Sequence, residues 1–359
     1  MTDTSDDRPT RPAEATGRPG RPGRLRALTE PRRGRWRTVA AWTGAGAWGV
    51  WAAVRFAGGD RIPGVEVPSA PLLALTPYVA ATVPVPVLAA LLLRRWRAAA
   101  VAGVVAAGLA AAVLPRAIGG DEPAARGPVL RVVTANLMFG EADPARLVEI
   151  VRRARADVLS LQELPPEAVA RYERAGLSAL LPHKVIDPRW GAAGSGLYSR
   201  HPMRALPPLP RTQMAMPQAE LALPDGRRVQ ITAVHPVPPI SAESLHDWKR
   251  DLGALPPARS SAATPGGGNA AGAPVRILAG DFNATLDHAG LRRLIGRGYA
   301  DAADRDGKGL VPTWGLGGPR PPLTIDHVLV DRRCAVRGVA VHDLPGSDHR
   351  AVSTEIRLP

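Results

Sequence analysis

Residues 38–54, 70–93 and 98–114 contain no Asp, Glu, Lys or Arg, and they limit the folds open to this chain more than any other feature. Their lengths lie near the ~17–25 apolar residues that a membrane-spanning helix needs. The first and third are rich in Ala and Gly. The second contains Pro71, Pro77, Pro84 and Pro86, which are tolerable in a span where neighbouring helices satisfy the freed carbonyls. A buried soluble hairpin is the competing reading, but three such runs separated by short charged loops favour three transmembrane helices within residues 36–118.

The flanking charges orient these runs. Arg32, Arg33, Arg35 and Arg37 precede the first, and Arg94, Arg95 and Arg97 separate the second from the third. The other two connections carry fewer arginines and include Glu66, Asp121 and Glu122. The positive-inside rule then puts the N-terminus in the cytoplasm and, after three crossings, residues 128–359 outside. Residues 1–35 are dominated by Arg, Pro, Gly and Thr and cannot build a core, so a disordered basic tail is expected. Residues 119–127 are read as a linker.

The net charge of +14 is weak evidence for nucleic acid. Arg far outnumbers Lys, which occurs only at 184, 249 and 308, and no dense Lys/Arg stripe with interleaved aromatics follows residue 128. The single Cys334 excludes an intramolecular disulfide framework and reads as a small core residue.

After residue 128 the pattern alternates between strand-like and helical runs. Strands are expected over 129–135, 158–161, 196–199, 220–223, 229–234, 275–279, 324–330, 335–341 and 351–356. Helices are expected over 144–156, with Asp143 as N-cap and Pro144 at its first position, and over 289–296. Residues 254–273, which include Pro265-Gly266-Gly267-Gly268, read as a surface loop.

Several of these strands end in, or contain, short polar side chains. Asn136 follows the first, Gln162 and Glu163 the second, His235 the fifth, and Asp281 and Asn283 the sixth; Asp326 sits within its strand, and Asp348-His349 precedes the last. Acids so placed are costly unless they are paired or bind metal. An oxygen-rich set of this kind suits Mg²⁺, with Mn²⁺ as a substitute. The lack of a second Cys and of an HExxH pair argues against zinc.

Thr134-Ala135-Asn136, Leu161-Gln162-Glu163, Gly196-Leu197-Tyr198-Ser199-Arg200, His235-Pro236, Gly280-Asp281-Phe282-Asn283, Thr313-Trp314, Ile325-Asp326-His327 and Gly346-Ser347-Asp348-His349 together resemble the endonuclease/exonuclease/phosphatase superfamily. The resemblance covers about residues 128–359. It implies a DNase I-like, four-layer αββα sandwich with two mixed β-sheets, here preceded by a transmembrane helical region. It also implies roles: Glu163 as the principal metal ligand with Asn136 beside it, and Asp348 at a second metal. Asp281 would activate water, Asn283 hold the phosphoryl group, His235 contact a phosphate oxygen, and His349, positioned by Asp326, stabilise charge or exchange protons. His327, on the opposite strand face from Asp326, reads as structural, and Trp314 reads equally as packing under the site loop or touching substrate.

The resulting expectation is a membrane-embedded, Mg²⁺-dependent phosphoric-ester hydrolase of phosphodiesterase or nuclease type, with its catalytic domain outside and no protein partner. Its substrate is a nucleic acid, a phospholipid or a phosphorylated small molecule. An extracytoplasmic phosphatase or a sphingomyelinase-type phospholipase remains open, as does a non-enzymatic membrane protein that binds a phosphorylated ligand.

Overall fold

The computed structural model describes residues 32–258, 274–318 and 321–359. Residues 1–31 of the tail expected over 1–35, and 259–273 of the loop expected over 254–273, lie outside the described residues; residues 32–35 are corrected from tail to the start of the first helix.

Five helices build the N-terminal third: α1 (Arg32–Ala57), α2 (Glu66–Leu73), α3 (Thr76–Ala81), α4 (Pro84–Leu92) and α5 (Trp96–Val113). The second charge-free run is therefore three short helices, not one. Pro77 occupies the second position of α3 and Pro84 the first of α4. A proline there lacks only an N–H that has no intrahelical partner, whereas deeper in a helix it would clash with the carbonyl one turn back. The path bends by 64° between Glu66–Leu73 and Thr76–Leu92. Among the described residues only Trp96–Ala117 is by itself long and apolar enough to cross a membrane, with 22 residues and mean hydropathy 2.1; the bent pair would be a second crossing. The single helix expected over the second run is corrected accordingly.

The remainder contains β1 (Val129–Asn136), α6 (Pro144–Arg153), β2 (Val158–Gln162), α7 (Pro166–Arg174), α8 (Leu177–Leu180), β3 (His183–Asp187), β4 (Ser195–Ser199), β5 (Met203–Ala205), β6 (Gln218–Ala222) and β7 (Arg228–Val234). It continues through α9 (Ala242–Ala254), β8 (Val275–Asp281), α10 (Ala289–Gly296), β9 (Tyr299–Asp301), α11 (Ala302–Arg305), β10 (Asp326–Asp331), β11 (Ala335–His342) and β12 (Ala351–Arg357). Two six-stranded sheets result, ordered β11-β12-β1-β2-β4-β3 and β5-β6-β7-β8-β10-β9. Each is mixed, with one parallel pair, β1–β2 or β7–β8, at its centre.

Period-two alternation sorts β1 between two cores. Leu130 and Val132 join Ile231, Ile277 and Val330 between the sheets, while Val133 and Ala135 face Leu147, Ile150 and Tyr172 of α6 and α7. A third cluster packs Trp248 and Leu252 of α9 and Leu291 of α10 on the far side of the second sheet. Each fully buried aliphatic side chain contributes about 1.5–3 kcal/mol, and together they hold an αββα sandwich of four layers. The parallel pairs of both sheets end at the same edge, so the chain leaves four strands there side by side.

The helical bundle is docked onto this sandwich. Arg55, near the end of α1, donates from Nε to Asp287 at 3.0 Å, and Arg116, just past α5, donates twice at 2.7 Å. All three side chains are buried. Burial raises the Asp287 pKa, but the bonds and charges of Arg116 and then Arg55 outweigh it and hold the carboxyl below its usual range. Asp60 accepts the backbone N–H groups of Ala289 and Gly290 at 3.0 Å, capping α10 from another segment. Residues 119–127 are likewise fastened: Gly120 N–H donates to the Arg305 carbonyl and Glu122 accepts from Val336 N–H.

Candidate active site

Asn136 ends β1, Glu163 follows β2, His235 follows β7 and Asp281 ends β8, so the two parallel pairs bring these side chains to one edge of the sandwich. Antiparallel pairing of β10 with β8 sets Asp326 directly opposite Asp281. The loop before β12 delivers His349. Its geometry is held by Ser347, which donates to the Asn136 carbonyl at 2.9 Å and accepts the His349 N–H at 3.0 Å.

Gly280 makes the approach of the two central strands possible. A Cβ there would stand 1.9 Å from the Val234 carbonyl oxygen, so no other residue fits without opening the sheet. Glu163, Asn283, Met138 and Phe139 all have φ between 46° and 56°. A left-handed backbone is ordinary for Asn but costs a Glu, Met or Phe about 1–3 kcal/mol, and it turns the Glu163 carboxylate back toward Asn136.

Polar contacts run both within each half and across the gap between the sheets. Asn136 Nδ2 donates to Glu163 Oε1 at 3.0 Å and to Asp281 Oδ2 at 3.2 Å. The second Glu163 oxygen accepts the Phe139 N–H at 2.8 Å. His349 Nδ1 donates to Asp326 Oδ2 at 2.9 Å, leaving Nε2 3.7 Å from Asp281 Oδ2. His235 Nε2 lies 3.8 Å from Asp281 and 3.9 Å from Glu163. Asn283 donates from Nδ2 to the Pro236 carbonyl and pins the segment that follows His235.

Burial and charge separate the titrating groups. Burial pushes the Asp281 carboxyl up to about 7, against the pull of the His349 charge. Burial alone would depress His349, yet the Asp326 and Asp281 carboxylates carry it up to about 10. His235 is driven down to about 3 by burial and by its cationic neighbour His349. At neutral pH the site therefore holds one imidazolium, one neutral imidazole and a carboxyl near its titration point.

Asp281, Asp326 and His349 offer ligand atoms within 4.8 Å of one another and could hold a metal ion. Asp326 Oδ1 is buried without a hydrogen-bond partner, and the Glu163 carboxylate adds further oxygen donors through its Asn136 contact. A hard donor set with excess negative charge fits a divalent cation such as Mg²⁺. Asp348 stands apart: its side chain is 46% exposed and accepts from Trp314 Nε1 at 2.8 Å. His327 lies on the other face of β10, bonded to Asp301 at 2.7 Å and the Ala284 carbonyl at 2.8 Å, away from the cluster.

Sequence reasoning did not find the support beneath the site. Thr134 donates to Gln162, Gln162 to Ser160, and Ser160 to the Ala279 carbonyl, a buried relay that joins the sheets. Thr313 Oγ1 accepts the N–H groups of Ile325 and Asp326 and fixes the start of β10. Thr134 and Thr313 lay within quoted motifs, but nothing in their spacing revealed these partners.

The sequence profile described as the Endonuclease/Exonuclease/phosphatase family matches residues 133–349. An endonuclease/exonuclease/phosphatase structure from Beutenbergia cavernae is 21% identical, covers 64% of this chain and 72% of its own, and superimposes with a TM-score of 0.50. Humanized D. rerio TDP2 (18% identity, 64% and 98% coverage, TM-score 0.49) and sphingomyelinase C from Streptomyces griseocarneus (15%, 64% and 99%, 0.44) are also similar. No curated protein sequence matches the chain.

Proposed function

Since this chain belongs to the endonuclease/exonuclease/phosphatase family, we propose that it is a membrane-anchored, Mg²⁺-dependent hydrolase of phosphoric esters, with its catalytic domain on the extracytoplasmic side. The observation that carries the chemistry is the Asp326–His349–Asp281 array, set beside Glu163 and Asn136.

Glu163 and Asn136 would hold the cation, with Asp281 nearby. When bound, it would neutralise phosphate charge and polarise the phosphorus–oxygen bond. Asp281 is the base: its raised pKa matches proton abstraction from water near neutral pH. As the water oxygen bonds to phosphorus, its proton passes to Asp281. The bond to the leaving oxygen breaks, and His349 gives that oxygen a proton from Nε2. Asp326 keeps Nδ1 occupied and so fixes which nitrogen is presented. His235, neutral at pH 7, serves as a hydrogen-bonding contact to a phosphate oxygen. Asn283 steadies the His235–Pro236 segment and has a second amide hydrogen for the phosphoryl group. Asp348, held by Trp314, lies at the rim, where a second cation or the leaving group would pass.

Two features of the bundle support anchoring and orientation. Leu92, Trp96 and Val104 stand 84%, 66% and 74% exposed on its surface, a cost in water that a bilayer removes. Arg95 donates to the Gly34 carbonyl, so the arginine-rich turns share one end of the bundle, while Arg55, Asp60 and Arg116 grip the catalytic domain at the other.

Purified full-length protein should hydrolyse bis-p-nitrophenyl phosphate with Mg²⁺, and Asp281→Ala and Glu163→Ala should abolish the activity. Folded protein inactive on every phosphoester tried would sink the enzymatic reading. Protection of residues 128–359 from protease added to intact cells would reverse the topology.

A further inference from the structure

Among the described residues after 118, the large apolar side chains that stand exposed are Met138, Phe139, Trp190, Ile240 and Leu316. Single exposed apolar residues are ordinary, but these five share one address, the loops that frame the site. The N–H groups of Met138 and Phe139 hold Asn136 and Glu163. Trp190 opens the turn Gly191–Ala193, whose Ala192 backbone faces His235. Ile240 ends the segment after β7 that Asn283 pins at Pro236. Leu316 follows Gly315, whose N–H donates to the Asp348 carbonyl at 3.1 Å.

A second observation is independent of this rim. A cavity of about 480 Å³ opens between the helical bundle and the sandwich, a size typical of small-ligand sites at ~300–1,000 Å³. Ala80, Ala110 and Val113 line it from the bundle, and Leu286, Leu310 and Leu323 from the sandwich. Leu323 and Trp314 exchange both backbone hydrogen bonds, and Trp314 in turn bridges to His349. One short ribbon thus belongs to the wall of an apolar cavity and to the catalytic edge. The bundle side of that wall comes from α3 and α5, the segments whose neighbouring surfaces are exposed and apolar.

We propose that the substrate is a phosphoester-bearing membrane lipid, its hydrocarbon chain in this cavity and its phosphate at Asp281 and His349. The proposal rests on the hydrolase reading above and names its substrate class. The cavity opens beside segments that would meet the bilayer, so an acyl chain could enter sideways without crossing water. The apolar rim would meet the membrane surface while the buried polar centre takes the headgroup. A nucleotide or sugar phosphate would draw no benefit from either feature.

The full-length enzyme in mixed detergent micelles tests this with dipalmitoyl lipids bearing phosphoglycerol, phosphocholine or phosphoinositol headgroups, their dibutyryl counterparts, and bis-p-nitrophenyl phosphate. At least one long-chain lipid should exceed its short-chain counterpart in kcat/KM by about tenfold or more. Ala110→Phe and Leu310→Trp, which fill the cavity from opposite walls, should erase that preference and leave turnover of bis-p-nitrophenyl phosphate unchanged. A phosphatidylglycerol with a diazirine on its acyl chain should crosslink to peptides containing Ala110 or Leu310 in the wild type only. Turnover of bis-p-nitrophenyl phosphate with no chain-length preference and no crosslink there overturns the lipid assignment while the hydrolase stands. Inactivity on every substrate overturns the hydrolase reading, and the lipid assignment with it.

Discussion

Asp287 sits with no exposed side-chain surface between two arginines that reach it from the end of α1 and from just past α5. Asp287→Ala would leave both guanidinium groups buried and unpaired. Removing one partner of a buried pair typically costs about 3–5 kcal/mol, which for a domain of this size lowers the melting temperature by roughly 6–20 °C. Thermal unfolding of the detergent-solubilised full-length protein measures it, and limited proteolysis around residues 119–127 reports whether the bundle has lifted away. Arg116→Ala added to Asp287→Ala should recover part of the loss, because it removes a stranded charge. The pH dependence has a fixed sign. The folded-state pKa of Asp287 is depressed, so its contribution is complete above the unfolded value of about 4 and disappears as pH falls through the folded value. A stability change within about 0.5 kcal/mol, as for a surface substitution, would refute the docked arrangement.

Asp326→Asn should reduce kcat on bis-p-nitrophenyl phosphate roughly 10²–10⁴-fold, the usual size of a general acid–base contribution, since His349 loses the carboxylate that fixes its proton; steady-state kinetics measure this. Chelation by EDTA should abolish turnover and Mg²⁺ restore it in wild type, while Glu163→Ala should need a far higher Mg²⁺ concentration, read from a metal titration. Gly280→Ala should destabilise the fold by about 1–3 kcal/mol or more, because its Cβ would sit 1.9 Å from the Val234 oxygen; a circular-dichroism melt matching wild type would contradict the strand geometry.

The central strands were legible because both their faces are buried: β1, β2, β7 and β8 read as apolar runs that end abruptly in Asn, Gln-Glu, His and Asp. Those endings also located the site. Of the edge strands only β11 was legible; His183–Asp187 is only half-buried, and Met203–Ala205 and Tyr299–Asp301 have three residues each. Helix α9 was missed although Leu245, Trp248 and Leu252 share one face; its capping box uses Ser244 in place of the usual Glu or Gln. The bent second run shows composition outrunning geometry. Freedom from charge indicated an apolar surrounding, but Pro77 and Pro84 decided where α3 and α4 could begin. The partnership of Asp287 with Arg55 and Arg116 spans 232 and 171 residues, a distance that no local pattern encodes.

Three polar contacts of the site join one sheet to the other: His349 to Asp326, Asn136 to Asp281, and Ser160 to the Ala279 carbonyl beneath them. Neither half has a working centre alone. Catalytic rate then becomes a gauge of how the two sheets are seated, since a shift of about 1 Å in a reacting group can cost some hundredfold in rate. Repacking the layer between them, at Val132, Ile277 or Val328, would tune turnover from a distance. In gradual denaturation, activity should vanish while both sheets still give their full far-ultraviolet signal.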